Sequence, residues 1–143
     1  MWRQFKYSQF MFEPSPAFPD GHVASRPILE VDLLSGTQRF DCFAIVDSGA
    51  DFCTFSLSFA TQLGLDPLMA ERSSSSGLGS ANVPTYFWNI RIEVQKLVTF
   101  DVYAGFTRGL DAFGVGLLGQ SGFFDRFPTS FDLRNGLFQI DIP

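Results

Sequence analysis

Five apolar residues in a row, Cys42 to Val46, end on a carboxylate, and the two residues after it are Ser48 and Gly49. The stretch 43–51 reads Phe-Ala-Ile-Val-Asp-Ser-Gly-Ala-Asp, so a hydrophobic strand delivers Asp47 directly into a tight turn. An acid at the end of a buried strand needs hydrogen-bond partners or a change of protonation. Ser48 offers a hydroxyl at that point and Gly49 an unhindered backbone N–H. The fold must close around an acid that is held for a purpose.

The rest of the chain limits what that purpose is. A sequence of 143 residues is one domain of ordinary size and buries about two-thirds of its unfolded surface. Its 18 phenylalanines supply a large aromatic core. The net charge of −5 disfavours nucleic acid, because no basic surface is available to neutralise a row of phosphates. No apolar run approaches the roughly 20 residues of a membrane span, and the first residues lack a basic segment followed by an apolar one. A cytoplasmic protein without membrane contact is expected. Cys42 and Cys53 read as reduced, buried thiols. With no CxxC and a single histidine, His22, no metal site and no cofactor are expected. The same scarcity argues against Ser-His-Asp and Cys-His catalysis, which need a histidine base. An enzyme made from these residues has carboxylates for its acid and base.

Patterning along the chain predicts a mainly β protein. Residues 1–27 are rich in aromatics and proline, too apolar for a free tail and too broken for a helix, so this segment is expected to wrap the domain or enter a subunit contact. Residues 28–143 form the domain proper. Leu29, Val31 and Leu33 alternate with Glu30 and Asp32, Ser35-Gly36-Thr37 makes a turn, and Phe40 to Val46 returns. Ser56 is placed to cap a short helix, Leu57 to Leu63, which Gly64 ends. Alternation at Trp88, Ile90, Ile92 and Val94 follows the serine- and glycine-rich stretch 73–80 and continues at Val98, Phe100 and Val102. Phe113 to Gly119 suggests a buried strand with close backbone approach, and Gly122 to Phe127 one or two helical turns. Asn135-Gly136 predicts a type I′ hairpin between the last two strands. His22 reads as a surface loop residue. The sum is a small closed β-barrel with two short helices.

Order gives the Asp-Ser-Gly tripeptide its weight, since alone it is a common turn. An apolar strand into Asp-Ser-Gly-Ala-Asp is followed by a strand and short helix, a glycine-rich hairpin, and a second apolar strand ending Leu117-Leu118-Gly119. From about Arg26 to Ile142 the chain resembles the retropepsin-like aspartic proteases, a family that includes the retroviral proteases. It is most similar to their bacterial single-domain members, which share the Arg-Pro-led first strand and the Leu-Leu-Gly-x-x-Gly-Phe pattern of Leu117 to Phe123. The resemblance implies the acid-protease barrel and aspartic endopeptidase activity. It puts Asp47 in the catalytic role, with Ser48, Gly49, Ala50 and Asp51 supporting the turn. Gly77, Leu78 and Gly79 match the flap over substrate, and Leu117, Leu118 and Gly119 the strand beneath the active site.

Aspartic proteolysis uses two carboxylates that share one proton, whereas this chain has one Asp-Ser-Gly turn. A homodimer acting on peptide or protein substrates follows as the expectation. Retroviral enzymes usually carry an arginine that pairs with the equivalent of Asp51. Here Gln120 occupies that place, so Arg126 or another base substitutes, or Gln120 hydrogen-bonds Asp51 more weakly. The alternative expectation is a retropepsin-like peptide-binding or dimerisation module without turnover.

Overall fold

Three N-terminal strands occupy the aromatic, proline-broken segment. A computed structural model of the chain describes residues 1–75 and 83–143, with backbone alone at Ser74 and Ser75. Strand β1 (Trp2–Lys6) runs antiparallel to the last strand of the chain, with Trp2 opposite Asp141 and Lys6 opposite Leu137. Strands β2 (Ser8–Phe12) and β3 (His22–Arg26) form a separate two-stranded arm. His22 is exposed as expected but lies in β3 rather than a loop, because its ring stacks between Phe12 at 4.5 Å and Phe18 at 4.4 Å. Arg26 closes the base of the arm, its guanidinium 5.1 Å from the Phe10 ring and 5.7 Å from that of Phe113.

The barrel begins where alternation begins. Strands β4 (Ile28–Ser35) and β5 (Gln38–Val46) pair from Ile28↔Ile45 to Ser35↔Gln38. Their two-residue loop has Gly36 first, at φ 56°, the arrangement a II′ hairpin requires. Leu29, Val31 and Leu33 are fully buried, while Glu30 and Asp32 face away from the core. A short strand, β6 (Thr54–Ser56), leads into helix α1 (Leu57–Gln62), whose first turn is capped by the Ser56 hydroxyl accepting from Ser58 N at 3.3 Å. The helix stops where Gly64 turns to φ 71°. Leu65 N then donates to Ala60 O and Gly64 N to Thr61 O, both at 3.0 Å, the paired bonds of a Schellman ending.

Strand β7 (Glu71–Ser75) pairs with the first half of β8 (Val83–Val94), and the second half of β8 pairs with β4. The long hairpin of β8 with β9 (Val98–Thr107) and the buried strand β10 (Gly116–Leu118) complete the ring. The hydrogen-bonded order β4-β5-β10-β6-β9-β8 returns to β4, so the barrel is closed. Phe55, Phe106, Leu118, Leu29 and Ile92 fill its interior, each fully buried side chain contributing about 1.5–3 kcal/mol. Cys42 and Cys53 are buried free thiols, pushed up to about 12 and about 11 chiefly by burial.

Gly122–Phe127 is a single turn, closed by Phe127 N donating to Phe123 O at 2.9 Å, and Pro128 follows it. Strands β11 (Thr129–Asp132) and β12 (Leu137–Asp141) then join β1 in a three-stranded sheet. Their connection is not the expected type I′ turn. Asp132 pairs with Leu137 across a four-residue loop, and only Gly136 takes a positive φ, 70°. The Asp132 carboxylate accepts from Asn135 N at 3.1 Å and Nδ2 at 2.7 Å, which holds Asn135 in a 3-10 turn and out of the left-handed region.

Candidate active site

Asp47 follows a strand held on both edges. Ile45 pairs antiparallel with Ile28 on one side, and Val46 pairs in parallel with Leu118 on the other. Val46 N donates to Pro27 O at 2.8 Å and Asp47 N to Leu118 O at 3.0 Å, so the backbone is fixed up to the residue that bears the acid. The half-buried carboxylate accepts the Gly49 N–H at 2.9 Å, and Ala50 N donates to Asp47 O at 3.2 Å. A side chain begins to crowd this arrangement, since a Cβ on Gly49 would stand 3.2 Å from Asp47 Oδ1. The turn thus fixes the carboxylate in place with a backbone donor.

The strand that carries Leu117 and Leu118 runs beside the strand leading into the Asp47 turn. Leu117 and Leu118 form β10, squeezed between β5 and β6, and Gly119 continues directly under the turn. Close approach explains the glycines on either side of those leucines. A Cβ on Gly116 would stand 2.3 Å from the Phe55 ring, and one on Gly119 would stand 2.3 Å from Phe52 O. Beyond Gly119, Gln120 N donates to Ala50 O at 2.8 Å and Ser121 N to Asp51 O at 2.9 Å, which stitches the outgoing leg of the turn in place.

Gln120 does not take up Asp51. Its side-chain Nε2 donates instead to Ser48 O at 2.8 Å, so an amide braces the turn where an ion pair was considered. Arg126 is engaged elsewhere, its guanidinium 5.7 Å from the Phe100 ring. The reason is geometric: Gln120 lies alongside the turn with its backbone already bound to Ala50, which brings its short side chain to Ser48.

In front of the turn is a cleft of about 490 Å³. Gly49 to Phe52 form one wall, Leu117 lies in its floor, and Thr107, Gly109 and Leu110 close one end. The opposite wall is the stem of the β7–β8 hairpin, through Ser73, Val83, Thr85 and Phe87. Gly77, Leu78 and Gly79, matched to a flap, lie outside the described residues, between the two strands of that stem. Sequence reasoning missed Phe52, Phe87 and Leu110 as cleft residues. Phe87 packs edge-on against Phe52 at 5.4 Å and stacks on Tyr103 at 5.2 Å. Room for that wall comes from Gly105, where a Cβ would meet the Thr85 methyl at 2.7 Å. No local signal in the chain marks these residues.

Among the described residues, no group of three His, Cys, Asp or Glu side chains is placed to hold a metal. None of the hydrogen bonds or ion pairs among them links Asp47 to a second carboxylate. Asp47 therefore stands without a partner acid among the described residues of one chain, at the start of the turn whose next residues line the cleft.

Residues 36–121 match the sequence profile of a family described as aspartyl protease. The chain belongs to the aspartyl protease family. The matched stretch runs from the β4–β5 loop through the Asp47 turn, α1 and the cleft wall to the leg at Gln120 and Ser121. No curated protein sequence matches the chain. Among solved structures, it is similar to the crystal structure of a retropepsin-like aspartic protease from Rickettsia conorii, with a TM-score of 0.56 at 16% identity, covering 98% of this chain and 94% of that one. At that identity the likeness speaks for the fold, which is the retropepsin-like barrel. No helix among the described residues is long and apolar enough to cross a membrane.

Proposed function

We propose that the chain is an aspartic endopeptidase whose active site is completed by a second copy of itself, Asp47 of each copy facing the other across a two-fold axis. The observation that carries this reading is the Asp47 turn. Its carboxylate is held by a backbone N–H, and the residues that follow it, Gly49 to Phe52, line a cleft of about 490 Å³. Two such acids brought together cannot both ionise, so the pair retains one proton at acidic to mildly acidic pH. The ionised member takes a proton from a water held between them, and the water oxygen attacks the scissile carbonyl carbon. The protonated member donates its proton to the carbonyl oxygen, giving a neutral tetrahedral diol. Collapse of the diol breaks the C–N bond as the now protonated member gives its proton to the leaving nitrogen and the ionised member takes one from a diol hydroxyl, which restores the singly protonated dyad.

Other features support the same reading. The substrate backbone adds as a strand along the cleft walls. The Ser48 hydroxyl is exposed and free to meet its counterpart across the axis. Trp2 and Phe131 of the terminal sheet and Leu133 of its loop are exposed, apolar surface available to a subunit contact. Buried, unpaired Cys42 and Cys53 suit a reducing compartment, and a cytoplasmic location is part of the proposal.

Incubation of the purified protein with unfolded casein across acidic to neutral pH tests the reading. Cleavage best at acidic pH, blocked by a statine-type inhibitor and abolished in a folded Asp47→Asn variant, is the expected result. Cleavage that survives Asp47→Asn removes this residue from the mechanism. Peptide binding without cleavage by the wild type makes the protein a binding module.

A further inference from the structure

Within the cleft wall, one carboxylate has no role in the chemistry above. Asp51 is exposed, lines the cleft, and is the only charged residue among those described as lining it. Neither of the nearby candidates neutralises it. The Gln120 amide is bound to Ser48 O at 2.8 Å, and Arg126 sits over Phe100. Among the described residues, no ion pair reaches its carboxylate.

The base of this side chain is nonetheless rigid. Asp51 O accepts from Ser121 N at 2.9 Å, and the preceding carbonyl, Ala50 O, accepts from Gln120 N at 2.8 Å. Its carboxylate is presented from a fixed backbone rather than from a free loop. Next to it, Phe52 and Phe87 form an aromatic wall in edge-to-face contact at 5.4 Å, with Leu117 and Val83 completing the apolar lining. A negative charge beside an apolar wall matches a side chain with a long hydrocarbon stem and a cationic head.

We propose that Asp51 is a specificity-determining residue that selects a lysine or arginine side chain of the bound peptide. The stem of that side chain packs on Phe52 and Phe87, and its head pairs with the Asp51 carboxylate. The proposal rests on the endopeptidase reading for its cleavage readout, and on peptide occupancy of the cleft alone for its binding readout. An exposed pair of this kind is weak, and partial shielding by the aromatic wall strengthens it. The preference expected for lysine over the neutral isostere norleucine is about threefold to tenfold, and it shrinks as ionic strength rises.

The experiment uses the full chain and a peptide set in which each position around one cleavable bond is in turn Lys, norleucine or Glu. For wild type, kcat/KM is expected to favour Lys at one position by the stated factor. In Asp51→Asn the Lys-to-norleucine ratio at that position falls to about one, and in Asp51→Lys the preference turns to Glu. Reading ratios within each variant removes any general loss of activity or folded fraction. In parallel, binding of the same peptides to the Asp47→Asn protein is followed by fluorescence anisotropy, with and without Asp51→Asn. A Lys preference in binding that Asp51→Asn erases supports the proposal even if the wild type cleaves nothing, in which case only the endopeptidase reading fails. Equal treatment of Lys and norleucine at every position, a preference that survives Asp51→Asn, or absence of both cleavage and binding overturns it.

Discussion

Adding one methyl group at Gly119 is expected to disable the site while leaving every functional side chain in the sequence. The Cβ of Gly119→Ala would fall 2.3 Å from Phe52 O, 2.6 Å from Phe52 C and 2.7 Å from Ala50 O. These are backbone atoms of the outgoing leg of the Asp47 turn, so no rotamer change relieves the overlap. The leg has to move away from residues 119–121, and the bonds Gln120 N to Ala50 O and Ser121 N to Asp51 O, at 2.8 and 2.9 Å, lengthen or break. Each is a net contribution of about 1 kcal/mol, and overpacking at a closed site adds about 1–3 kcal/mol. The total is about 3–5 kcal/mol, a large share of the roughly 5–15 kcal/mol that holds a domain together. Urea unfolding followed by tryptophan fluorescence measures it. With a slope of about 2 kcal/mol/M, the midpoint should fall by about 2 M. Gly109→Ala is the control. Its Cβ would meet nothing closer than Thr107 Oγ1 at 3.5 Å, and it should change stability by less than about 1 kcal/mol in either direction. A Gly119→Ala midpoint no lower than that of Gly109→Ala would refute the close-approach reasoning.

Two other outcomes follow from the structure. Gln120→Ala removes the 2.8 Å bond to Ser48 O; stability should drop by only about 0.5–1.5 kcal/mol, with casein cleavage losing more in kcat than in KM because the loosened turn carries the acid. Asp32 faces Asp41 across β4–β5 and Glu93 across β4–β8, with Arg39 bridging Asp32 and Glu93. Burial, then the Asp41 carboxylate, raise its affinity for a proton above that of an ordinary aspartate, against the opposing pull of Arg39. Its folded-state pKa therefore exceeds its unfolded one, so the stability it contributes is present at low pH and is lost as pH rises from the ordinary aspartate range through the raised value. Denaturation midpoints from acidic to neutral pH should show that decline in wild type and a flatter profile in Asp32→Asn; identical profiles would contradict it.

Much of the barrel and the centre of the site were legible because they are written locally. Period-two alternation marks β4, β8 and β9, and the Ser56 cap with Gly64 brackets α1. Asp47, Ser48 and Gly49 are adjacent in sequence, so the turn's chemistry is legible as a unit. What was not legible depends on partners far along the chain. Gln120 reaches Ser48 across 72 positions, and nothing near Gln120 distinguishes that bond from one to Asp51. Phe52 and Phe87 become one wall only when β8 folds over the turn. The hairpins failed in an instructive way. Asn135-Gly136 carries the signature of a type I′ turn, yet the Asp132 carboxylate recruits Asn135 into a longer loop. The residues that do adopt two successive positive φ values are Gln95 and Lys96, at 46° and 60°, under the long β8–β9 ladder. There tertiary pairing overrides the local preference of both side chains.

The central claim, that two Asp47 side chains from different copies make one active site, is tested most directly by mixing subunits. Wild-type protein is unfolded and refolded together with an equal amount of Asp47→Asn, and casein cleavage is compared with the same amount of wild type refolded alone. If each site needs an Asp47 from both copies, random pairing leaves one dimer in four active, and activity falls to about half. Unchanged activity would mean that one chain's Asp47 suffices, and would contradict the shared dyad.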